Sequence, residues 1–216
     1  MQKGIGLFGG SFDPVHTGHL AVARGALDAL DLIRLDFVLA PAPWQKSIIT
    51  PVHKRLAMLE LACEADPRMR VNPCELMREG ATYTVDTLRQ MRRELGPSVP
   101  LVLILGADQW ENFHTWRDWE IFTQYCSIAL CNRNGRTPQA SPVVSAWAEP
   151  HLCPAQNVTR SACGQICQFE IPAHEASSTK IREIFSRCGR YEALRQLEGW
   201  LPAKVARYIA VNGVYF

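Results

Sequence analysis

The chain lacks a dominant charge: 23 lysines and arginines stand against 21 acids, a formal net charge of +2 over 216 residues. Its basic residues are scattered, with only pairs such as Arg92-Arg93. No stripe exists to neutralise a phosphodiester backbone, so no nucleic-acid partner is expected. Long apolar runs are also absent. The best, Leu101 to Leu105, is far shorter than the roughly 20 residues that span a bilayer, so no membrane partner is expected. The first residues have neither the basic segment nor the apolar core of a secretory leader. No internal repeat is visible. The 8 cysteines contain no CxxC pair. Cys163 and Cys167, with Cys153 and His151 nearby, match no common zinc module, so no protein-held metal is expected. Several cysteines fall on apolar periodic positions and read as small buried hydrophobes in a reducing cytoplasm.

What is present is an ordinary globular composition, 47% apolar and 20% charged, long enough for a substantial core and one domain over 1–216. Apolar runs alternate with helical patterns, which predicts a parallel sheet with crossover helices. Leu20, Ala23, Leu27 and Leu30 mark a first helix, and Phe37 to Ala40 a second strand. Val52, Leu56, Leu59 and Cys63 space as a helix face, as do Val85, Leu88, Met91 and Leu95. Leu101 to Leu105 and Ile128 to Leu130 read as strands, and Val205, Ala206 and Ile209 as a final short helix. The proline-rich loop 41–51 is expected to move or to cover a ligand. Residues 134–164, with Pro138, Pro142, Pro150 and Pro154, read as an irregular surface insertion.

Chemistry concentrates at the start. Directly after the apolar run Ile5-Gly6-Leu7-Phe8 comes Gly9-Gly10-Ser11-Phe12-Asp13-Pro14-Val15-His16-Thr17-Gly18-His19. This reads as a strand, a glycine-rich turn and two histidines at the mouth of a helix. Gly9 and Gly10 let backbone turn tightly and approach a ligand. The turn amides and the helix N-terminus make an anion site, and His16 and His19 add donors that titrate near neutrality. Gly4, Gly6 and Gly9 also spell GxGxxG, but no strand fits before Gly4. A dinucleotide-binding oxidoreductase therefore does not follow. Far downstream, Ser177-Ser178-Thr179-Lys180-Ile181-Arg182 offers an N-cap, hydroxyls and a cation, with Ile181, Ile184, Phe185 and Cys188 on one helical face.

The first segment resembles the GxFxPxHxGH signature of the nucleotidylyltransferase superfamily, through Gly9, Ser11, Phe12, Pro14, His16, Gly18 and His19. The second resembles that superfamily's SxTxIR segment. Three further segments resemble bacterial nicotinate-nucleotide adenylyltransferases: Tyr83-Thr84-Val85-Asp86-Thr87-Leu88, Gly106-Ala107-Asp108 followed by Phe113 and Trp116, and the loop Pro43-Trp44-Gln45-Lys46. Cys131-Asn132-Arg133 sits where that family has an arginine-rich strand end, with Asn132 at a position where arginine is frequent.

The resemblance implies a Rossmann-like, doubly wound α/β sheet with its site at the strand C-termini. It implies that nicotinate mononucleotide attacks the α-phosphorus of ATP, with Mg²⁺ bridging phosphate oxygens mostly through waters. His16 and His19 would hold the α-phosphate and its growing charge. Gly9, Gly10, Ser11 and Phe12 belong to the phosphate turn. Lys46, Ser177, Ser178, Thr179 and Arg182 would grip the pyrophosphate end. Gly106 and Asp108 would serve the ATP ribose or base. Trp116 would stack on the pyridine ring, and amides around Tyr83, Thr84, Val85, Trp116 and Arg117 would read its carboxylate, with Arg133 at the same nucleotide. The alternatives are adenylyl transfer to nicotinamide mononucleotide or another phosphate acceptor, and a non-catalytic nucleotide-binding protein.

Overall fold

The computed structural model describes residues 3–41, 50–133 and 138–216. Strand β1 (Gly4–Gly10) leads into helix α1 (Thr17–Ala29), then β2 (Leu32–Leu39) and α2 (Val52–Cys63). β3 (Met69–Asn72), α3 (Thr84–Leu95), β4 (Leu101–Gly106) and the single turn α4 (Ala107–Glu111) follow. Two 3-10 turns, Phe113–Thr115 and Trp119–Gln124, precede β5 (Ser127–Arg133). Then come α5 (Pro142–Ala148), two further 3-10 turns, Glu149–His151 and Ala155–Asn157, β6 (Ile166–Ile171), α6 (Ser178–Arg187), α7 (Arg190–Gln196) and α8 (Ala203–Asn212). The strands form one parallel sheet in the order β3-β2-β1-β4-β5-β6. The chain builds outward from β1 on one side, then crosses and builds outward on the other. The crevice between the C-terminal ends of β1 and β4 is the switch point where such sheets take ligands. The doubly wound α/β expectation is met.

Strand alternation sorts the core into two layers. Leu101, Leu103 and Leu105 of β4, with Ile128 and Leu130 of β5, join Val85, Leu88 and Met91 of α3 on one face. Val102 and Ile104, with Ala129 and Cys131, join α1, α2, α6 and α8 on the other, through residues such as Leu27, Met58, Ile181 and Ile209. Gly4 and Gly6 lie inside β1, as strand residues.

Sequence patterning alone misses two strands. β3 is four residues long, and β6 carries Gln168 and Glu170 on its exposed side. β2 begins at Leu32, earlier than the apolar run, because its interior Asp36 is fully buried yet satisfied by Arg34 at 3.0 Å and Arg70 at 2.8 Å. The stretch 134–164 departs most from expectation. From 138 onward it holds α5, whose Val144 and Ala148 are buried, and Trp147 packs edge-on against Trp119 at 5.1 Å. A proline at the first helical position starts that helix rather than breaking it. The loop expectation for 41–51 falls largely on 42–49, outside the described residues.

Candidate active site

The glycine turn has two glycines for two reasons. A Cβ on Gly10 would sit 2.9 Å from the Phe12 ring, because Phe12 folds back beneath the turn with a left-handed φ of 46°. Its ring is buried edge-on to Phe37 at 5.4 Å and to His19 at 5.0 Å. Phe12 therefore supports the turn from the core side and presents no ring to a ligand. A Cβ on Gly9 would meet nothing within 4 Å, and Gly9, Gly10 and Ser11 line a cavity that extends to α3. The space above Gly9 is where a ligand approaches backbone.

α1 starts at the histidines. His16 is 3% exposed and its N–H donates to Nδ1 of His19 at 3.2 Å. The two rings lie 3.7 Å apart between centroids, tilted by 30°. With Nδ1 accepting, a neutral His19 carries its proton on Nε2.

The downstream motif arrives at this turn from more than 160 residues away. Arg182 Nη1 donates to the Asp13 carbonyl at 2.6 Å, and Ser178 Oγ donates to the Pro14 carbonyl at 2.9 Å. Ser177 caps α6 by accepting from Lys180 N at 3.3 Å. Thr179 is exposed at the helix mouth, 3.5 Å from Arg182 Nη2. Thus Ser177 and Ser178 brace the junction, while Thr179 and the remaining guanidinium donors of Arg182 border a second cleft that also contains Lys54.

Arg55 and Tyr215, which sequence reasoning passed over, complete this end together with Asp13. Arg55 is 1% exposed and donates to four carbonyls: Thr50 at 3.1 Å, Ser11 at 2.8 Å, Ala40 at 2.9 Å and Pro41 at 2.8 Å. It clamps the phosphate turn to the end of β2 and the start of α2. Burial pulls its guanidinium below the usual arginine value, while Asp13 and Tyr215 act the other way. Asp13 is 3% exposed and accepts the Tyr215 hydroxyl at 2.6 Å. Burial first, and then Asp13, push that phenol above its ordinary range. Tyr215 itself stacks on Phe185 of α6, with centroids 5.5 Å apart. A sequence signal for Arg55 existed: it stands four residues before Leu59 and seven before Ala62, on the face that is buried. Lys54 and Tyr215 had no such signal.

The other end of the cavity is built by α3 and the turns after β4. Tyr83, Thr84, Trp116 and Arg117 line it together. The Arg117 guanidinium lies 4.8 Å over the Tyr83 ring. Trp116 packs on Phe113 at 5.7 Å, and its Nε1 is buried with no partner among the described residues. Thr84 and Val85 open α3 ahead of the first hydrogen bonds, from the N–H groups of Asp86 and Thr87 to Tyr83 O. The side chain of Val85 is fully buried in the core. Trp110 and Trp119 are buried core aromatics.

Gly106 ends β4 and its N–H donates to Gln109 Oε1 at 3.0 Å, while Asp108 is exposed in the first turn of α4. Arg133 ends β5 opposite Ile171, and its side chain lies outside the described residues, as does all of Lys46. Among the described residues no group of three histidines, cysteines or acids converges to hold a metal.

The chain is 36% identical over 216 residues to a "Probable nicotinate-nucleotide adenylyltransferase" of Neisseria meningitidis serogroup C, covering 99% of both chains. The chain belongs to the nicotinate-nucleotide adenylyltransferase family. A family member of the same description from Bordetella petrii is 36% identical over 215 residues, covering 99% of this chain and all of the relative. The broader cytidylyltransferase-like family model matches residues 7–184. That span contains both phosphate motifs. In fold, the chain is similar to the Plasmodium falciparum nicotinic acid mononucleotide adenylyltransferase complexed with NaAD. The TM-score is 0.73 at 17% identity, over 99% of this chain and 97% of that one. Among the described residues no helix is long and apolar enough to cross a membrane.

Proposed function

We propose that this protein transfers AMP from ATP to nicotinate mononucleotide, the reaction named for its family, and that the residues above carry it. One oxygen of the mononucleotide phosphate bonds to the α-phosphorus of ATP, the bond to the bridging β-oxygen breaks, and pyrophosphate leaves. The products are deamido-NAD and pyrophosphate, in the synthesis of NAD. The acceptor phosphate is already an anion, so the protein supplies placement and charge stabilisation rather than a nucleophile.

The observation that carries the assignment of roles is the joining of two distant phosphate motifs by the Arg182–Asp13 bond at 2.6 Å, beside the paired histidines. His16 and His19 hold the α-phosphate as its charge grows. Gly9, Gly10 and Ser11 take phosphate oxygens through the turn. Arg182, Thr179 and Lys54 receive the β- and γ-phosphates in the second cleft, which all three line. Lys46 adds a cation from its loop. Asp108 takes a ribose or base contact after β4. Trp116 stacks on the pyridine ring, and the first amides of α3 take its carboxylate. Arg133 serves the same nucleotide from the end of β5.

ATP brings Mg²⁺ with it. The acid nearest the turn, Asp13, is buried and bonded to Tyr215, which suits a metal held by phosphate oxygens and water rather than by a carboxylate cage. The substrates and a chain without a disulfide among its described residues fit a cytoplasmic setting.

The test supplies ATP and Mg²⁺ with either nicotinate or nicotinamide mononucleotide and follows dinucleotide and pyrophosphate. The amide turns NH₂ donors toward N–H groups that already point inward, leaving buried donors unpaired at about 1–3 kcal/mol each. The expected kcat/KM ratio is therefore about 10- to 1000-fold in favour of the acid. Equal values would retain adenylyl transfer and remove the acid preference. No dinucleotide with either would remove the activity.

A further inference from the structure

The cavity between the glycine turn and α3 is lined by two charged side chains, Glu75 and Arg117, of opposite sign. Glu75 is 8% exposed, in the turn after β3. Its Oε1 accepts from Thr87 Oγ1 at 2.7 Å, and Thr87 Oγ1 in turn accepts from Arg78 Nη1 at 2.8 Å. Among the described residues it forms no ion pair. The Arg78 cation reaches it only through the shared Thr87 hydroxyl, and a buried carboxylate with no directly paired cation is costly to keep unless a ligand brings one.

Both charges are held by the opening turn of one helix. Arg117 rests on the ring of Tyr83, the residue just before α3, and Glu75 is bonded to Thr87, one turn inside it. Each is thereby tied to the start of α3. The nicotinate base has a matching pair of charges: a quaternary ring nitrogen that is positive, and a carboxylate that is negative. This rests on the functional reading above, and it concerns side chains that reading leaves idle.

We propose that Glu75 is the counter-ion of the pyridinium ring and Arg117 the partner of its carboxylate, so that the cavity selects a zwitterionic base. Thr87 is a positioning residue that aims Glu75. The amides of α3 and the Trp116 stack remain as described; neither of them distinguishes a charged ring from a neutral one as sharply as an opposed carboxylate does.

The experiment measures equilibrium binding of nicotinate mononucleotide and of its reduced dihydropyridine form. The reduced form keeps the carboxylate and phosphate but has an uncharged ring. Glu75→Gln keeps an oxygen for Thr87, so packing is conserved. It is expected to weaken the charged-ring nucleotide about tenfold and the reduced one less than about twofold, the tenfold corresponding to roughly one decade in affinity. Arg117→Gln is expected to weaken both forms alike, since both carry the carboxylate. Equal weakening of both forms by Glu75→Gln would make Glu75 a scaffold residue and overturn the proposal. So would no weakening at all. The wild-type protein gives an independent measure: equal affinity for the two ring states overturns the proposal without any variant. A wild type that forms dinucleotide from nicotinate mononucleotide while Glu75→Gln behaves normally removes this inference alone. A wild type inactive with that nucleotide removes the functional reading and this inference together.

Discussion

The two ends of the cleft are constructed on opposite principles. At the phosphate end the protein satisfies itself. Arg55 donates to four carbonyls, Arg182 and Ser178 bond to the backbone of the turn, and Tyr215 closes on Asp13. Thr17, at the first position of α1, donates through Oγ1 to Gly199 O at 2.8 Å and through its backbone N–H to Trp200 O at 2.9 Å. At the end by α3, among the described residues, Trp116 Nε1 is buried without a partner, and Glu75 is bonded to the Thr87 hydroxyl with no direct ion pair. Phosphoryl transfer tolerates little misplacement, and the proposed roles put these overdetermined groups around the transferred phosphorus. Recognition gains from desolvated groups whose only good partner is the right substrate.

The contrast predicts that substitutions at the phosphate end change stability or kcat, while those at the end by α3 change the KM of the mononucleotide. The largest effect belongs to Arg55→Met. It removes all four carbonyl partners from a buried site, and is expected to lower unfolding free energy by about 3–5 kcal/mol in urea titrations. Unchanged stability would mean that the phosphate end is not self-braced.

His19→Ala comes next. Loss of one preorganised donor at the growing charge is worth roughly 10²–10³-fold in kcat. Circular dichroism and the melting temperature check that the fold persists. A lower melting temperature with unchanged turnover would reduce His19 to a cap for the N–H of His16.

Arg182→Ala loses a charge-assisted phosphate contact worth about 1.5–3 kcal/mol, or roughly 10- to 150-fold in kcat/KM for ATP. Its bond to Asp13 O goes as well, so a small loss of stability accompanies it. ATP kinetics within error of wild type would leave α6 as a capped helix only.

The smallest effect sharpens the comparison most. Trp116→Leu keeps apolar bulk but removes the ring, and is expected to raise the mononucleotide KM by about 0.5–1.5 kcal/mol, or roughly two- to tenfold. ATP KM and melting temperature should hold. If they move as much as in Arg55→Met, the two ends are one structural unit and the contrast fails.

The phosphate turn was legible because it is local: glycines, a strand before it and a helix after it lie within twenty residues. The buried partners of that turn were not. The periodicity of α2 puts Arg55 on the buried face, but only the folded neighbours reveal the four carbonyls around it. The resemblance places Phe12 in the phosphate turn, yet its positive φ turns its ring into the core. α5 was missed because four prolines suggested irregularity, while one of them in fact begins the helix.

By itself the sequence determined the alternation of strands and helices, the glycine turn with its histidines, and the capped helix bearing Arg182. Each is a matter of residue types at short spacing, where backbone freedom, periodicity and capping act within a few residues. Only the tertiary structure decided that Arg182 reaches Asp13, that Tyr215 near the end of the chain closes on the turn near its beginning, and that Glu75 and Arg117 share one cavity. Those meetings depend on the order β3-β2-β1-β4-β5-β6, which brings residues far apart in the chain to one edge of the sheet. Whether a buried charge is braced by the protein or left for a substrate is a property of those neighbours. No run of consecutive residues encodes it.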